Sequence, residues 1–429
     1  MLTPSNRKTS LGRFTSLFSK LGPGLVTGAA DDDPSGIGTY SIAGAQFGYS
    51  PLWIAWLSFP LMAGVQLMCA RIGIVSGRGL GALLGQQYGR AGLWPACALL
   101  AAANVINIGA DLGGMAASTA MVTGVKAYYL LPIYTVLMAA GLSLFSYRRI
   151  AVVFKWMTLA LFAYVASAFL AHPDWNAVLR ATLVPRLQSS REFTAMLVAI
   201  LGTTISPYLF FWQATQEVEE LREHKAKPKA ERKAAVKEMR RDSYFDVIAG
   251  TAFSNLIMYF IILTAAATLN AHGVKQIVTT EQAAEALRPL AGRGAYLLFT
   301  LGIIGSGMLS VPVLAGSTAF AIAEGAGWRN SLEYRPAMAP AFYGVLFASL
   351  IVGMAMNYAG LGVVAMLFWS AVINGLLAAP LLILVVLLSS NRNIMGAQAS
   401  SPLVRALGWI TVVLMTAASV AFLVQTVAG

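Results

Sequence analysis

Long apolar runs separated by short polar stretches recur along the whole chain. A helix needs about 20 apolar residues to cross a bilayer. The pattern predicts eleven membrane segments, at 21–47, 52–76, 93–122, 127–146, 150–171, 193–223, 245–271, 294–325, 337–356, 360–389 and 404–428. The third, sixth, eighth and tenth are long enough to tilt or to project from the bilayer. The first is interrupted. Its two apolar runs, 21–30 and 37–47, are each too short to span alone but long enough together. Between them lie Asp31, Asp32, Asp33, Pro34, Ser35 and Gly36. One membrane helix broken in the middle, with acids at the break, fits this stretch. A carboxylate at membrane depth is costly and usually faces a polar cavity on an ion or substrate path. A solvated loop between two re-entrant halves, or a helix cap, accounts for the same residues.

The sixth segment is interrupted too, at Gly202-Thr203-Thr204-Ile205-Ser206-Pro207-Tyr208. Proline removes a backbone donor and clashes with the preceding turn, so it ends or kinks a helix. Ser206 before Pro207 and Asp33 before Pro34 both read as an N-cap followed by proline at the first helical position. The breaks are five segments apart, and an odd offset inverts the second set relative to the first. Segments 1–5 (21–171) and 6–10 (193–389) are therefore expected to be inverted repeats, each opening on a discontinuous helix, with the eleventh segment (404–429) outside them. Such paired interruptions point to a transporter binding site. The first half-helix would end in unpaired carbonyls, a partial negative charge favouring a cation.

Composition agrees with a polytopic membrane protein. The 429 residues are 57% hydrophobic and 11% charged, against about 25% charged in soluble domains. The mean hydropathy is +0.68. The net charge of +12 falls mainly in loops and is a topology signal rather than a nucleic-acid footprint. The basic tail 1–20, Arg71, Arg78, Arg90, Arg148, Arg149, the run 222–241, Arg329, Arg335, Arg392 and Arg405 would lie inside. Only Lys126, Arg180, Arg186, Arg191, Lys275, Arg288 and Arg293 would lie outside. That places the N-terminus in the cytoplasm and the C-terminus outside, in a bacterial inner membrane. The stretch 224–244 is expected as a basic cytoplasmic loop, helical over 230–240. No cleavable signal peptide is visible. Cys69 and Cys97 suggest neither a disulfide framework nor a metal cluster. The three histidines lie outside the apolar cores, against a histidine proton relay. No prosthetic group and no obligate protein partner are indicated; the expected partners are the lipid bilayer and a transported ion.

Other polar residues fall at membrane depth. Asn104, Asn107 and Asp111 are spaced i, i+3, i+7 and share one helix face, which would line a pathway or hold neighbouring helices by hydrogen bonds. Gln213 and Glu217 follow the second break on the face that also carries Glu220, as a polar exit or as the wetted end of a helix. Asn374 in the tenth segment is ambiguous. Lys155 would snorkel to the inner interface.

The stretch Gly22-Pro23-Gly24, Asp33-Pro34-Ser35-Gly36, Ala43-Gly44-Ala45 and Ala70-Arg71-Ile72-Gly73-Ile74-Val75-Ser76-Gly77 resembles the Nramp family of divalent-metal transporters. The resemblance implies an all-α LeuT-type fold with the 5+5 inverted repeat. It also implies a metal site at the two breaks. The family's first-helix motif is Asp-Pro-Gly-Asn; here Asp33 is kept and Gly36 replaces the asparagine ligand. The sixth-helix motif Ala-x-x-Met-Pro-His reads Thr203-Thr204-Ile205-Ser206-Pro207-Tyr208, so Ser206 replaces the methionine and Tyr208 the histidine. Of the family's third-helix acid pair, Asp111 remains and Gly114 takes the second place. A thioether selects softer metals over Mg²⁺ and Ca²⁺; with Ser206 the ligands become hard oxygens. Gly36 removes side-chain volume, and Asp31 and Asp32 add charge. A roomy, acidic, all-oxygen site suits a cation that keeps its waters, as Mg²⁺ does, and is similar to the Nramp-related magnesium transporters.

The expectation is a carrier of divalent cations, Mg²⁺ or Mn²⁺, working by alternating access with weak or no proton coupling. Asp33 would be the main ligand. Asp31 and Asp32 would hold or concentrate hydrated ions, and the Ala30 and Thr203 carbonyls with the Thr204 and Ser206 hydroxyls would complete the shell. A monovalent cation or a cation-coupled anion or solute would fit the same scaffold. A sensor or scaffold on a transporter fold is a different class. So is an intramembrane aspartyl hydrolase using Asp33 and Asp111, whose usual Gly-x-Gly-Asp context is absent.

Overall fold

The computed structural model describes residues 23–145, 157–225 and 229–428, and is helical with no strand among them. The first predicted segment is two half-helices, α1 (Pro23–Asp31) and α2 (Pro34–Phe47). The next are α3 (Trp53–Ser76), α4 (Leu80–Thr123) and α5 (Ala127–Leu144). Of the fifth segment, the part before Met157, including Lys155, lies outside the described residues; a 3₁₀ turn leads into α6 (Phe162–Leu170). After α7 (Trp175–Leu183), the sixth segment is again two halves, α8 (Arg191–Thr204) and α9 (Pro207–Lys225). Then come α10 (Lys229–Thr268), a short α11 (Thr280–Ala284), α12 (Ala295–Ala326), α13 (Pro340–Met356), α14 (Val363–Ser390) and α15 (Pro402–Ala428).

Among the described residues, nine helical stretches are long and apolar enough to cross a membrane, with the two halves at 191–222 taken as one. The other two predicted segments are the split first one and the partly described fifth. Large apolar side chains of α5 and α15, such as Val136, Leu137, Val413 and Leu423, face outward. Such an apolar outer face is stable only against lipid.

Several boundaries differ from the sequence expectation. The range Leu80–Thr123 is two helices meeting at Gly89, whose backbone is not helical (φ 64°, ψ −164°), so a short helix from Leu80 precedes the predicted third segment. Only glycine adopts that conformation without strain. In the basic stretch 224–244, the helix expected over 230–240 is present as the start of α10, which runs on without a break into the seventh segment. From Lys229 on the stretch is rich in Ala, Lys, Glu and Arg, good helix formers, and no Gly or Pro follows Pro228 before the apolar part. Helix α7 was not foreseen; Asp174 caps it by accepting from the amides of Asn176 and Ala177 at 3.0 and 3.2 Å. Nor was α11, which opens on a capping box of Thr279 and Gln282.

The half-helices form the centre of the bundle. α1 packs on α10, α8 on α14, and α4 lies along α12. Two of these contacts require glycine. A Cβ on Gly28 would stand 2.2 Å from the carbonyl oxygen of Gly250 in α10, and one on Gly202 would stand 2.3 Å from that of Ala371 in α14.

Candidate functional site

Both breaks lie deep in the bundle, and the four acids around them, Asp31, Asp32, Asp33 and Asp111, are all buried. No basic side chain forms an ion pair with them among the described residues.

Asp33 caps α2 as its sequence context predicts. Its backbone is extended (φ −70°, ψ 168°), and its Oδ1 accepts from the Gly36 amide at 2.6 Å. Oδ2 accepts from Asn107 Nδ2 at 2.6 Å, and Asn107 Oδ1 accepts from Asn374 Nδ2 at 3.3 Å. Asp111 Oδ1 accepts from the Ser35 amide at 3.1 Å and Oδ2 from the Ser310 hydroxyl at 2.9 Å. The first turn of α2 thus serves both carboxylates with consecutive amides, at the end where its dipole favours negative charge. Ser35 Oγ lies 2.8 Å from the Leu367 carbonyl and 2.7 Å from Ser370 Oγ, tying this turn to α14.

Asp31 and Asp32 face elsewhere. The Ser254 hydroxyl on α10 donates to Asp31 Oδ2, and lies 3.4 Å from Asp32 Oδ1. Asp31 Oδ1 and Asp32 Oδ2 are buried with no hydrogen-bond partner among the described residues, as is Asn374 Oδ1. All three are acceptors.

The second break departs from its expected cap. Ser206 Oγ donates backwards, to the carbonyls of Gly202 and Thr203, both at 2.7 Å. The last carbonyls of α8 lack intrahelical donors, and a serine just beyond them satisfies that need locally. Tyr208 Oη donates to the Ala30 carbonyl at 2.9 Å, joining α9 to the end of α1. Thr204 Oγ1 donates to the Ile200 carbonyl at 2.7 Å and lies 3.1 Å from Tyr40 Oη.

Two expectations about the site are corrected. Gly36 does not leave open space: a Cβ there would stand 3.0 Å from Thr203 Oγ1 and 3.3 Å from Asp33 Oδ1. Thr203, reaching across from the other break, fills the volume that the missing side chain vacates. Nor are the surroundings purely oxygen, since Met258 Sδ on α10 lies 3.5 Å from Thr204 Oγ1. No group of three or more His, Cys, Asp or Glu side chains converges in metal-holding geometry among the described residues.

Of the shared face on α4, Asn107 and Asp111 reach the site but Asn104 does not. Its Nδ2 donates to α12, to Thr318 Oγ1 at 2.8 Å, Ser317 Oγ at 2.9 Å and the Leu314 carbonyl at 3.1 Å. Asn104→Ala should therefore lower the thermal midpoint through lost α4–α12 bonds, about 1 kcal/mol in a membrane setting. A several-fold rise in KM without that loss would return Asn104 to the pathway.

Gln213 and Glu217 belong to a buried chain closing the side below the site. Thr27 on α1 donates to Gln213 Oε1 at 2.7 Å, Gln213 Nε2 donates to Glu217 Oε1 at 2.9 Å, and Ser243 on α10 donates to the same oxygen. This chain links three helices and is sealed from solvent. Ser254, Thr27, Tyr40, Ser243 and Met258 carry no distinguishing sequence signal; single hydroxyls and methionines in apolar helices are common packing residues.

A helical membrane bundle in which two interrupted helices meet beside buried carboxylates is the architecture of a secondary transporter. The chain matches the family model described as Natural resistance-associated macrophage protein-like over residues 24–425 and belongs to the Nramp family. Members of this family are metal transporters, so the protein is a multi-pass membrane transporter and not an enzyme. Its relatives include the divalent metal cation transporter MntH of Deinococcus radiodurans, 26% identical over 414 residues, covering 92% of this chain and 87% of the relative. The crystal structure of the manganese transporter of Eremococcus coleocola superposes with a TM-score of 0.76 at 18% identity, over 99% of this chain and 89% of that one. MhsT, solved in complex with L-phenylalanine, shares the fold at a TM-score of 0.60 and 11% identity, over 95% of this chain and 98% of its own. The LeuT-type fold expected from the sequence agrees with these likenesses.

Proposed function

We propose that the protein carries a divalent cation, Mg²⁺ in partly hydrated form, across a bacterial inner membrane, with Asp33 as principal ligand. The observation that carries this is the pair of buried, unpartnered acceptor oxygens on Asp31 and Asp32, the two residues that precede Asp33 in the break. Buried carboxylate oxygens with neither a donor nor a counter-charge are costly, and a cation repays that cost where a neutral or anionic solute does not. The Thr203 and Ser206 hydroxyls lie at the same junction. Hard oxygen donors, none of them histidine, suit a cation that sheds water reluctantly. The named activity of the curated relatives, divalent metal cation transport, agrees with the cation class.

The eleven-segment layout with two inverted repeats, N-terminus inside and C-terminus outside, belongs to the same proposal. The contacts of Tyr208 with Ala30 and of Thr203 with the Gly36 position, which bring the two breaks together, support it. Proton coupling is weak or absent, because Asp111 is fixed by Ser35 and Ser310 and has Gly114 where the resembling family has its second acid.

A second reading, Mn²⁺, is favoured by Met258: a thioether one side chain from the break offers the softer donor that Ser206 lacks. Uptake into proteoliposomes of Mg²⁺ and Mn²⁺, with an internal pH dye, separates the possibilities. Mg²⁺ uptake without acidification is expected. Uptake of Mn²⁺ alone, lost in Met258→Leu, would establish the second reading. Metal-driven acidification abolished by Asp111→Asn would overturn weak coupling.

A further inference from the structure

The carbonyl oxygens of Ala30 at the end of α1 and of Gly202 and Thr203 at the end of α8 lie in last turns, where helix carbonyls lack intrahelical donors. All three lie within hydrogen-bond distance of a hydroxyl of the 206–208 stretch, Gly202 and Thr203 sharing the one proton of Ser206. Tyr208 holds Ala30 at 2.9 Å, and Ser206 holds Gly202 and Thr203 at 2.7 Å. Both side chains are buried, and Tyr208 is wholly so. Asp33 and Asp111 hold the amides of the facing α2 turn.

We propose that Tyr208, with Ser206, sets how much water the transported cation keeps, by holding the break carbonyls with hydroxyl protons so that the ion meets them through its own waters. This rests on the divalent-cation reading above. A carbonyl oxygen has two lone-pair sites, but a phenol O–H directed at it occupies one of them and draws electron density away from an approaching cation. The phenol oxygen keeps acceptor capacity of its own and is suited to receive a hydrogen bond from a metal-bound water. An ion that retains its water gains from this arrangement. An ion that exchanges water for carbonyl oxygen loses a ligand. Tyr208 is thus a specificity-determining residue that acts through the Ala30 carbonyl.

The test is Tyr208→Phe in proteoliposomes, with KM measured separately for Mg²⁺, Mn²⁺ and Ca²⁺. Phenylalanine keeps the ring and frees the carbonyl. The ratio of KM for Ca²⁺ and for Mn²⁺ to that for Mg²⁺ should fall at least fivefold. A purely structural role would move all three KM values by a common factor. Tyr40→Phe, which removes a buried hydroxyl bonded to a side chain rather than a break carbonyl, should leave the ratios unchanged. Ser206→Ala is the second variant, expected to shift the ratios in the same direction, and it decides the matter if Tyr208→Phe does not fold. Unchanged ratios in both variants, with the unmodified protein carrying Mg²⁺, would overturn the role of Tyr208 and leave the carrier reading standing. No uptake of any of the three ions by the unmodified, folded protein would overturn the carrier reading and this inference with it.

Discussion

Asp33→Ala should weaken the apparent affinity for the transported cation by about 100-fold or more. Removing one partner of a buried charge pair costs about 3–5 kcal/mol, and each 1.4 kcal/mol is about a tenfold change in affinity. Asp33 is expected to dominate because it alone among the acids combines three features. It sits in the break itself, it caps α2, and its carboxylate is aimed by side chains from α4 and, through Asn107, from α14. The loss should appear as a raised KM in proteoliposome uptake and as a weakened Kd by titration calorimetry in detergent. Alanine leaves Asn107 Nδ2 and the Gly36 amide without an acceptor, a cost of about 1–3 kcal/mol in stability. Asp33→Asn, which keeps the shape and removes the charge, separates ligand loss from misfolding. Near-normal uptake by a folded Asp33→Asn protein would remove Asp33 from the site. In Asp31→Asn or Asp32→Asn a smaller effect is expected, since Ser254 on α10 shares the position of each.

The parts of this site visible in the sequence are those with strong local chemistry. Two cap-and-proline pairs mark the breaks because proline restricts the backbone wherever it stands, and three acids in an apolar run are conspicuous at any depth. Asp111 stands out for the same reason. What the sequence did not show depends on direction and on distant partners. Ser206 has a hydroxyl suited to capping α9, but whether it accepts forward or donates backward is decided by the unpaired carbonyls of α8. Gly36 reads as empty volume until Thr203, 167 positions later, is seen to fill it. Asn104 shares its helical face with Asn107, yet the rotation of α4 against α12 gives it to Ser317 and Thr318. Ser254 and Met258 are ordinary residues in an apolar helix, and only the packing of α10 makes Ser254 a neighbour of Asp31 and Asp32 and Met258 a neighbour of Thr204. The helix expected over 230–240 lies within α10; its unbroken run into the apolar part was not legible, because helix formers signal a helix but not where it stops.

The arrangement of α1 supplies the second large effect. Thr27, Gln213, Glu217 and Ser243 join α1, α9 and α10 in one buried chain, and Gly28 lets α1 lie against the backbone of α10. Together they close one side of the site, while Tyr208 bonds the inner end of the same half-helix. Under the alternating access proposed for the carrier, passage of an ion toward that side would take α1 away from α10. Gly28→Val should force this departure. A Cβ placed 2.2 Å from a backbone carbonyl cannot be relieved by a side-chain rotamer, and overpacking of this kind costs about 1–3 kcal/mol. Applied to the closed state alone, such a cost shifts the closed-to-open ratio by about 5- to 150-fold. The expected result is uptake reduced at least tenfold, because the site spends most of its time open on one side. The native background suits a direct readout, since Cys69 and Cys97 are both buried. Ala29→Cys, at a buried position of α1, should resist a membrane-impermeant maleimide from either face in the otherwise unmodified protein. It should become reactive from a single face when combined with Gly28→Val, and under the N-inside topology that face is the cytoplasmic one. Labelling from the opposite face would invert the proposed orientation. Full uptake with no labelling would mean that α1 does not close the path.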